Sequence, residues 1–226
     1  MKPLIVFDLD GTLIDSRQDL AESANELLAT YGAPPFPVAR VVGMVGEGAR
    51  VLVQRALEAA SLNSVNVDAA LHQFLEIYDR HLVAHTRLYP GLAAALASVS
   101  ARATLALLTN KPAHHTTRIL DAFGLKNDFH SVVAGDSGFP RKPDPAGLQH
   151  LIRTTGSAPS QTLMVGDSAV DIETGRRAGV RLCVAAYGFA QYRDGLHLAG
   201  DELVAATPQD LQARLLDFLG PPLGSQ

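Results

Sequence analysis

The sequence predicts an α/β protein, a parallel sheet interrupted after its first strand by an insert that is helical throughout. Three observations lead there. An uncharged run, Pro3-Leu4-Ile5-Val6-Phe7, is rich in bulky and β-branched residues and reads as a buried strand. From Tyr89-Pro90-Gly91 onward, short apolar runs alternate with amphipathic stretches, as strand–helix units do. Between these two regions, residues 15–84 carry helical periodicity only.

Each element has a local cause. Ser16 stands where a helix cap belongs. The helix runs to about Tyr31, with Leu20, Ala24, Leu27, Leu28 and Tyr31 on one face and Gly32 as its stop. Pro34, Pro35 and Pro37 break the chain. The glycine-rich stretch Gly43-Met44-Val45-Gly46-Glu47-Gly48 leads into a second helix, with its buried face expected at Val51, Leu52, Leu57 and Ala60. Asp68 is expected to cap a third, striped by Leu71, Phe74, Leu75, Tyr78 and Leu82. In the alternating part, helices are predicted over 92–99, from Pro112 to Phe123, from Pro145, up to Ala178 and from Pro208. Strands are predicted over 103–108, 132–134, 163–165 and 182–186. The expected division is a core of residues 1–14 and 88–226 around an insert of 15–87.

Composition narrows the function. Apolar residues make up 47% of the 226, enough for a sizeable core. A formal charge of −4 gives no basic footprint for nucleic acid. No run has the apolar length that spans a membrane. Met1-Lys2-Pro3 enters a core strand directly, so no signal peptide is expected. Cys183 is the single cysteine and lies in an apolar run, which suits packing rather than chemistry. A cytoplasmic protein, monomer or homodimer, is the expectation.

Ligands of a parallel sheet gather at the carboxyl ends of its strands, and three predicted ends carry polar groups. Asp8 and Asp10 follow the first strand and, two positions apart, point the same way in extended chain. They read either as solvated turn acids or as a pair whose repulsion a divalent cation relieves, one acid serving as nucleophile and the other handling protons. Thr109 and Asn110 offer donors to a phosphoryl oxygen, or plain turn chemistry before Pro112. Gly166-Asp167-Ser168 ends the third, with Asp171 four residues after Asp167. Asp167 reads as a helix cap or a metal ligand, and Asp171 as a solvated charge or its neighbour on the same face. Lys142, between Arg141 and Pro143, is a surface lysine or a point charge against phosphate.

Asp8-Leu9-Asp10-Gly11-Thr12, Leu108-Thr109-Asn110, Lys142-Pro143-Asp144-Pro145 and Gly166-Asp167-Ser168 with Asp171 resemble, in order, the four motifs of the haloacid dehalogenase superfamily. The stretches Val42 through Ala49, Arg55-Ala56-Leu57 and Leu88-Tyr89-Pro90-Gly91 resemble its phosphoglycolate phosphatase-like group. The resemblance implies a Rossmann-like core with a helical cap domain, and a Mg²⁺-dependent phosphatase acting on a small phosphorylated metabolite, 2-phosphoglycolate first. It implies Asp8 as nucleophile, forming an aspartyl-phosphate, and Asp10 as the acid and then the base. Mg²⁺ would sit on Asp8, the Asp10 carbonyl and Asp167, with Ser168 beside them and Asp171 supporting either the metal's waters or the Lys142 ammonium. Thr109, Asn110, Lys142 and Gly11 would bind the phosphoryl group. A phosphosugar mutase, a phosphatase for sugar phosphates, nucleotides or pyrophosphate, and a non-catalytic phospho-ligand binder are the alternatives.

In the insert, residues 43–50 form a glycine-rich entry to a helix, where backbone N–H groups suit an anion. Gly46 and Arg50 are the candidates for substrate contact, Arg50 meeting a carboxylate or remaining a solvated charge. His81, His85, His114 and His115 lack metal spacing and read as surface or packing residues. Cap closure about hinges near Ile14-Asp15 and Leu88 is expected.

Overall fold

The structure is a computed structural model that describes residues 2–189 and 196–221. Strand β1 (Leu4–Phe7) is buried along its whole length, as its uncharged sequence requires. It lies between β4 (Thr104–Leu108) and β6 (Thr162–Gly166), so that Phe7 pairs with both Leu107 and Val165. With β5 (Ser131–Val133), β7 (Arg181–Ala185) and β8 (Leu203–Ala205), these form a six-stranded sheet in the order β5-β4-β1-β6-β7-β8, every pair parallel.

Alternation along the strands divides the core between the two faces. Ile5, Phe7, Leu105, Leu107, Leu163 and Val165 face one side, where α5 (Leu92–Ser100), α6 (Ala113–Ala122) and α9 (Pro208–Leu219) cover them. Leu4, Val6, Ala106, Leu108 and Met164 face the other, under α7 (Ala146–Thr155) and α8 (Ala169–Ala178). Cys183 is buried on β7, and burial pushes its thiol up to about 12, so it packs as a small apolar group.

The segment between β1 and β4 forms α1 (Arg17–Thr30), α2 (Val38–Val42), α3 (Ala49–Ala59) and α4 (Val67–His81). Helix α1 packs on α2 and α4, and α3 on α4. A two-stranded antiparallel ribbon of β2 (Ile14–Asp15) and β3 (Arg87–Leu88) joins the two ends of this segment.

Several local expectations are corrected. The ribbon, α2 and β8 were not expected, because two, five and three residues are too few to show a period. Asp68 does not cap α4. The Asn66 side chain accepts from the N–H groups of Asp68 and Ala69, leaving Asp68 in the first turn. Helix α3 buries Leu52, Val53, Ala56 and Leu57, while Val51 and Ala60 are half-buried, because it is enclosed between α1 and α4 rather than resting on one surface. Ser16 stands at the N-cap of α1, yet its hydroxyl donates to Asp10 Oδ1 at 2.6 Å instead of capping.

Candidate active site

The three central strands end level with one another, and the residues that follow them meet. The Asp8 N–H donates to the Val165 carbonyl at 2.9 Å, which holds the first residue past β1 against β6. Asp8, Asp10, Thr109, Asn110, Asp167 and Ser168 line one cleft between the sheet and the insert. Carboxylate oxygens of Asp8, Asp167 and Asp171 lie within 4.8 Å of one another, all three residues buried.

Burying three acids together demands positive charge. Lys142 supplies part of it. Its ammonium lies 2.8 Å from Asp8 Oδ1 and 2.5 Å from Asp171 Oδ1. Burial alone would lower the lysine's pKa, but Asp171 and Asp8 outweigh it and hold the ammonium well above its ordinary range. Asp8 is raised to about 6, chiefly by burial, with Asp171 and Asp10 adding to the effect of burial and Lys142 opposing it. Lys142 is therefore a buried charge and not a surface one.

Asp167 is not the cap of α8. Ser168 is. Its hydroxyl accepts from the Asp171 N–H, and Asp171 Oδ2 accepts from the Ser168 N–H at 3.1 Å and from its hydroxyl at 2.5 Å. This capping box aims Asp171 Oδ1 at Lys142, so Asp171 is neither solvated nor free for other work. Asp167 Oδ2 accepts from the Phe189 N–H at 2.7 Å, and Oδ1 accepts from the Thr12 hydroxyl at 3.4 Å.

Two residues expected to bind phosphate also brace the scaffold, one through its main-chain N–H and the other through its side chain. The Gly11 N–H is taken by the Ile14 carbonyl at 2.8 Å. Gly11 is required for a different reason. It has φ +85°, and a Cβ there would stand 2.3 Å from Asp167 Oδ2. The Asn110 side chain is also fully occupied. Oδ1 accepts from the Lys142 N–H at 2.9 Å, and Nδ2 donates to the carbonyls of Lys142 and Gly46, each at 3.0 Å. Asn110 thus fixes both main-chain groups of Lys142 and ties them to the insert. Thr109 remains in the cleft, its oxygen accepting from the Lys111 N–H at 3.2 Å.

Arg50 is not brought to the site. It pairs with Asp68 on the exposed side of the insert at 2.5 Å, because the first turn of α3 aims it away from the sheet. Gly46 and Gly48 do line the cleft, with Leu20, Val45, Ala49, Leu52, Phe74 and Leu75 forming an apolar wall above the acids. His81 pairs with Glu26, His114 pairs with Asp79, and His115 is buried against Tyr78. For His85 the expectation that it lacks metal spacing is corrected: though exposed, it groups with Asp19 and Glu22, with ligand atoms within 4.8 Å of one another, because the end of the insert folds back onto α1.

Sequence reasoning missed Lys111 and Tyr78. Lys111 Nζ lies 3.1 and 2.9 Å from the two Asp10 oxygens and donates to the Tyr78 hydroxyl at 2.8 Å. The signal was a second lysine directly before a proline, as Lys142 is, here at a polar strand end. Tyr78 was read only as part of a core stripe.

The profile of the haloacid dehalogenase-like hydrolase family matches residues 5–185. The chain belongs to that family. A phosphoglycolate phosphatase of Psychrobacter arcticus is 38% identical over 85% of this chain and 87% of its own. One from Cereibacter sphaeroides is 37% identical over 95% and 99%. The crystal structure of a predicted phosphoglycolate phosphatase from Haemophilus somnus 129PT superposes with a TM-score of 0.85 at 32% identity, covering 95% of this chain and 98% of that one.

Proposed function

We propose that this hydrolase removes phosphate from 2-phosphoglycolate, a small phosphomonoester, through an aspartyl-phosphate on Asp8, with Mg²⁺ as its metal. The observation that carries the reading is the approach of the Asp8 and Asp167 carboxylates to within 4.8 Å, beside a buried ammonium. Hard carboxylate oxygens suit Mg²⁺. Asp171 is engaged by Lys142 and the capping box, which leaves Asp8 and Asp167, with the Asp10 main-chain carbonyl, to hold the ion. When bound, Mg²⁺ supplies the charge that allows an anionic carboxylate to approach an anionic phosphate.

The remaining work falls to side chains of this chain. Asp8 Oδ forms the bond to phosphorus as the ester oxygen leaves. Asp10 gives its proton to that oxygen, and the product is glycolate. Asp10 then takes a proton from water as the water oxygen bonds to phosphorus and the Asp8 Oδ–P bond breaks, releasing inorganic phosphate. Lys142 and the Thr109 hydroxyl neutralise and orient the phosphoryl oxygens. The insert, residues 15–87, is read as the cap that keeps bulk water out during the first step.

Steady-state assays with 2-phosphoglycolate, a phosphosugar, a nucleoside monophosphate and pyrophosphate test the reading. The expected result is highest kcat/KM for phosphoglycolate, loss on chelation of divalent cations with recovery on Mg²⁺, and a fall of at least about 10⁴-fold in Asp8→Asn. Turnover surviving in Asp8→Asn would sink it.

A further inference from the structure

Resting on that functional reading, we infer that Lys111 recognises a carboxylate on the leaving group, with Tyr78 of the insert positioning its ammonium. Lys111 follows β4 in the same loop as Thr109 and Asn110, and its side chain lines the cleft while only 5% exposed. Among the described residues lining the cleft it carries the one basic side chain. Lys142 stands beside Asp8 and Asp171, where it serves the phosphoryl group rather than the leaving group. Arg50 points away. The wall contributed by the insert is otherwise apolar. An anionic group in the cleft other than the phosphoryl therefore finds compensation at Lys111.

The geometry locates that group. A proton donor must lie within about 3.2 Å of the oxygen it protonates, so the ester oxygen lies against Asp10. Lys111 Nζ lies 2.9 Å from Asp10 Oδ2. A carboxylate one methylene removed from the ester oxygen falls in the same neighbourhood. The Lys111 ammonium, held beside Asp10, is the positive charge that such a carboxylate meets there. An ammonium has three N–H donors, enough to serve Asp10, Tyr78 and one more oxygen. Tyr78 fixes the ammonium from the other side. Its hydroxyl accepts at 2.8 Å, its ring lies 4.6 Å from Nζ, and Phe74 stacks on it at 5.9 Å. Recognition of the leaving group is thereby assigned to a core lysine held by an insert tyrosine. A neutral leaving group gains nothing from it.

The test compares 2-phosphoglycolate with 2-hydroxyethyl phosphate, which has a hydroxymethyl group in place of the carboxylate. The readout is the ratio of their kcat/KM values, because Lys111 also touches Asp10 and its loss slows both substrates. Lys111→Met is expected to lower the ratio roughly 10- to 100-fold, the range of a charged hydrogen bond. Lys111→Arg is expected to keep most of the preference, and Tyr78→Phe to lower it by a few-fold, mostly through KM. Equal losses on both esters in Lys111→Met, leaving the ratio unchanged, would overturn the proposal. If that variant does not fold, Tyr78→Phe keeps the ring packing and decides, an unchanged ratio again overturning it. Failure of the unsubstituted enzyme to hydrolyse phosphoglycolate would instead sink the functional reading, and is seen before any variant is made.

Discussion

Among single residues, His115 on α6 shows how a neutral buried side chain shapes stability away from the chemistry. It is 5% exposed, and its ring lies 5.3 Å from that of Tyr78. Burial lowers its pKa to about 4, Lys111 and His114 assist, and Asp79, 3.6 Å away, opposes. The Leu75 backbone of α4 faces the ring and opposes the loss of the proton only weakly. Between pH 6.5 and 4 the unfolded chain then binds the proton and the native chain does not. Stability from this group is complete above about pH 6.5 and is lost as pH falls through 4, by roughly 2–3 kcal/mol. His115→Leu should flatten the acid limb of the stability curve, read by urea unfolding at pH 7.5 and 4.5. The same slope in both proteins would refute it. The acids of the cleft stood out in the sequence, whereas for His115 it left surface and packing open, because one histidine on a short helix shows no face of its own. What each polar group does with its lone pairs was not legible there. Gly11 and Asn110 belong to the right motifs, yet the Gly11 N–H is taken by Ile14, and the Asn110 side-chain amide by Lys142 and Gly46, residues far from it in the chain.

At the scale of elements, the strands and helices that carry the site were readable because each has a long apolar run or a proline start. The pieces that were missed are short and defined by partners. The loops between elements matter most here, and Asn110 is their joint. It connects the end of β4, the Lys142 loop and the Gly46 loop through three hydrogen bonds. Asn110→Ala leaves the buried N–H of Lys142 without that acceptor, at a cost of about 1–3 kcal/mol. It also loosens the ammonium that faces Asp8. The expected outcome is a lower unfolding midpoint together with a raised KM for every phosphoester tested, because the displaced charge serves the phosphate and not the leaving group. A change confined to phosphoglycolate would contradict this division of labour between Asn110 and Lys111.

For the whole molecule, the contacts that join the insert to the sheet differ in kind from those inside either part. Within the insert, α1 and α4 bury Leu20, Leu27, Phe74 and Ile77. Across the cleft the contacts are largely polar. Lys111 meets Tyr78, Asn110 meets Gly46, and Asp79 on α4 pairs with Arg118 and His114 on α6. Exposed pairs such as Asp79–Arg118 contribute only about 0–1 kcal/mol each. The cleft-side contacts are therefore the weak seam, and the ribbon β2–β3 is the covalent joint beside it. Motion about that ribbon would open the cleft, although the insert and one face of the sheet share a single buried apolar cluster that must yield locally as it does so. Hydrogen exchange with and without Mg²⁺ and inorganic phosphate tests this. Ligand should protect residues 43–50 and the Tyr78 turn of α4, because closing the seam removes them from water. The interior of α1 should exchange at the same rate in both states, since its packing lies within the insert. Protection spread evenly over the insert would mean that ligand stabilises the molecule as a single unit, and that the seam does not open.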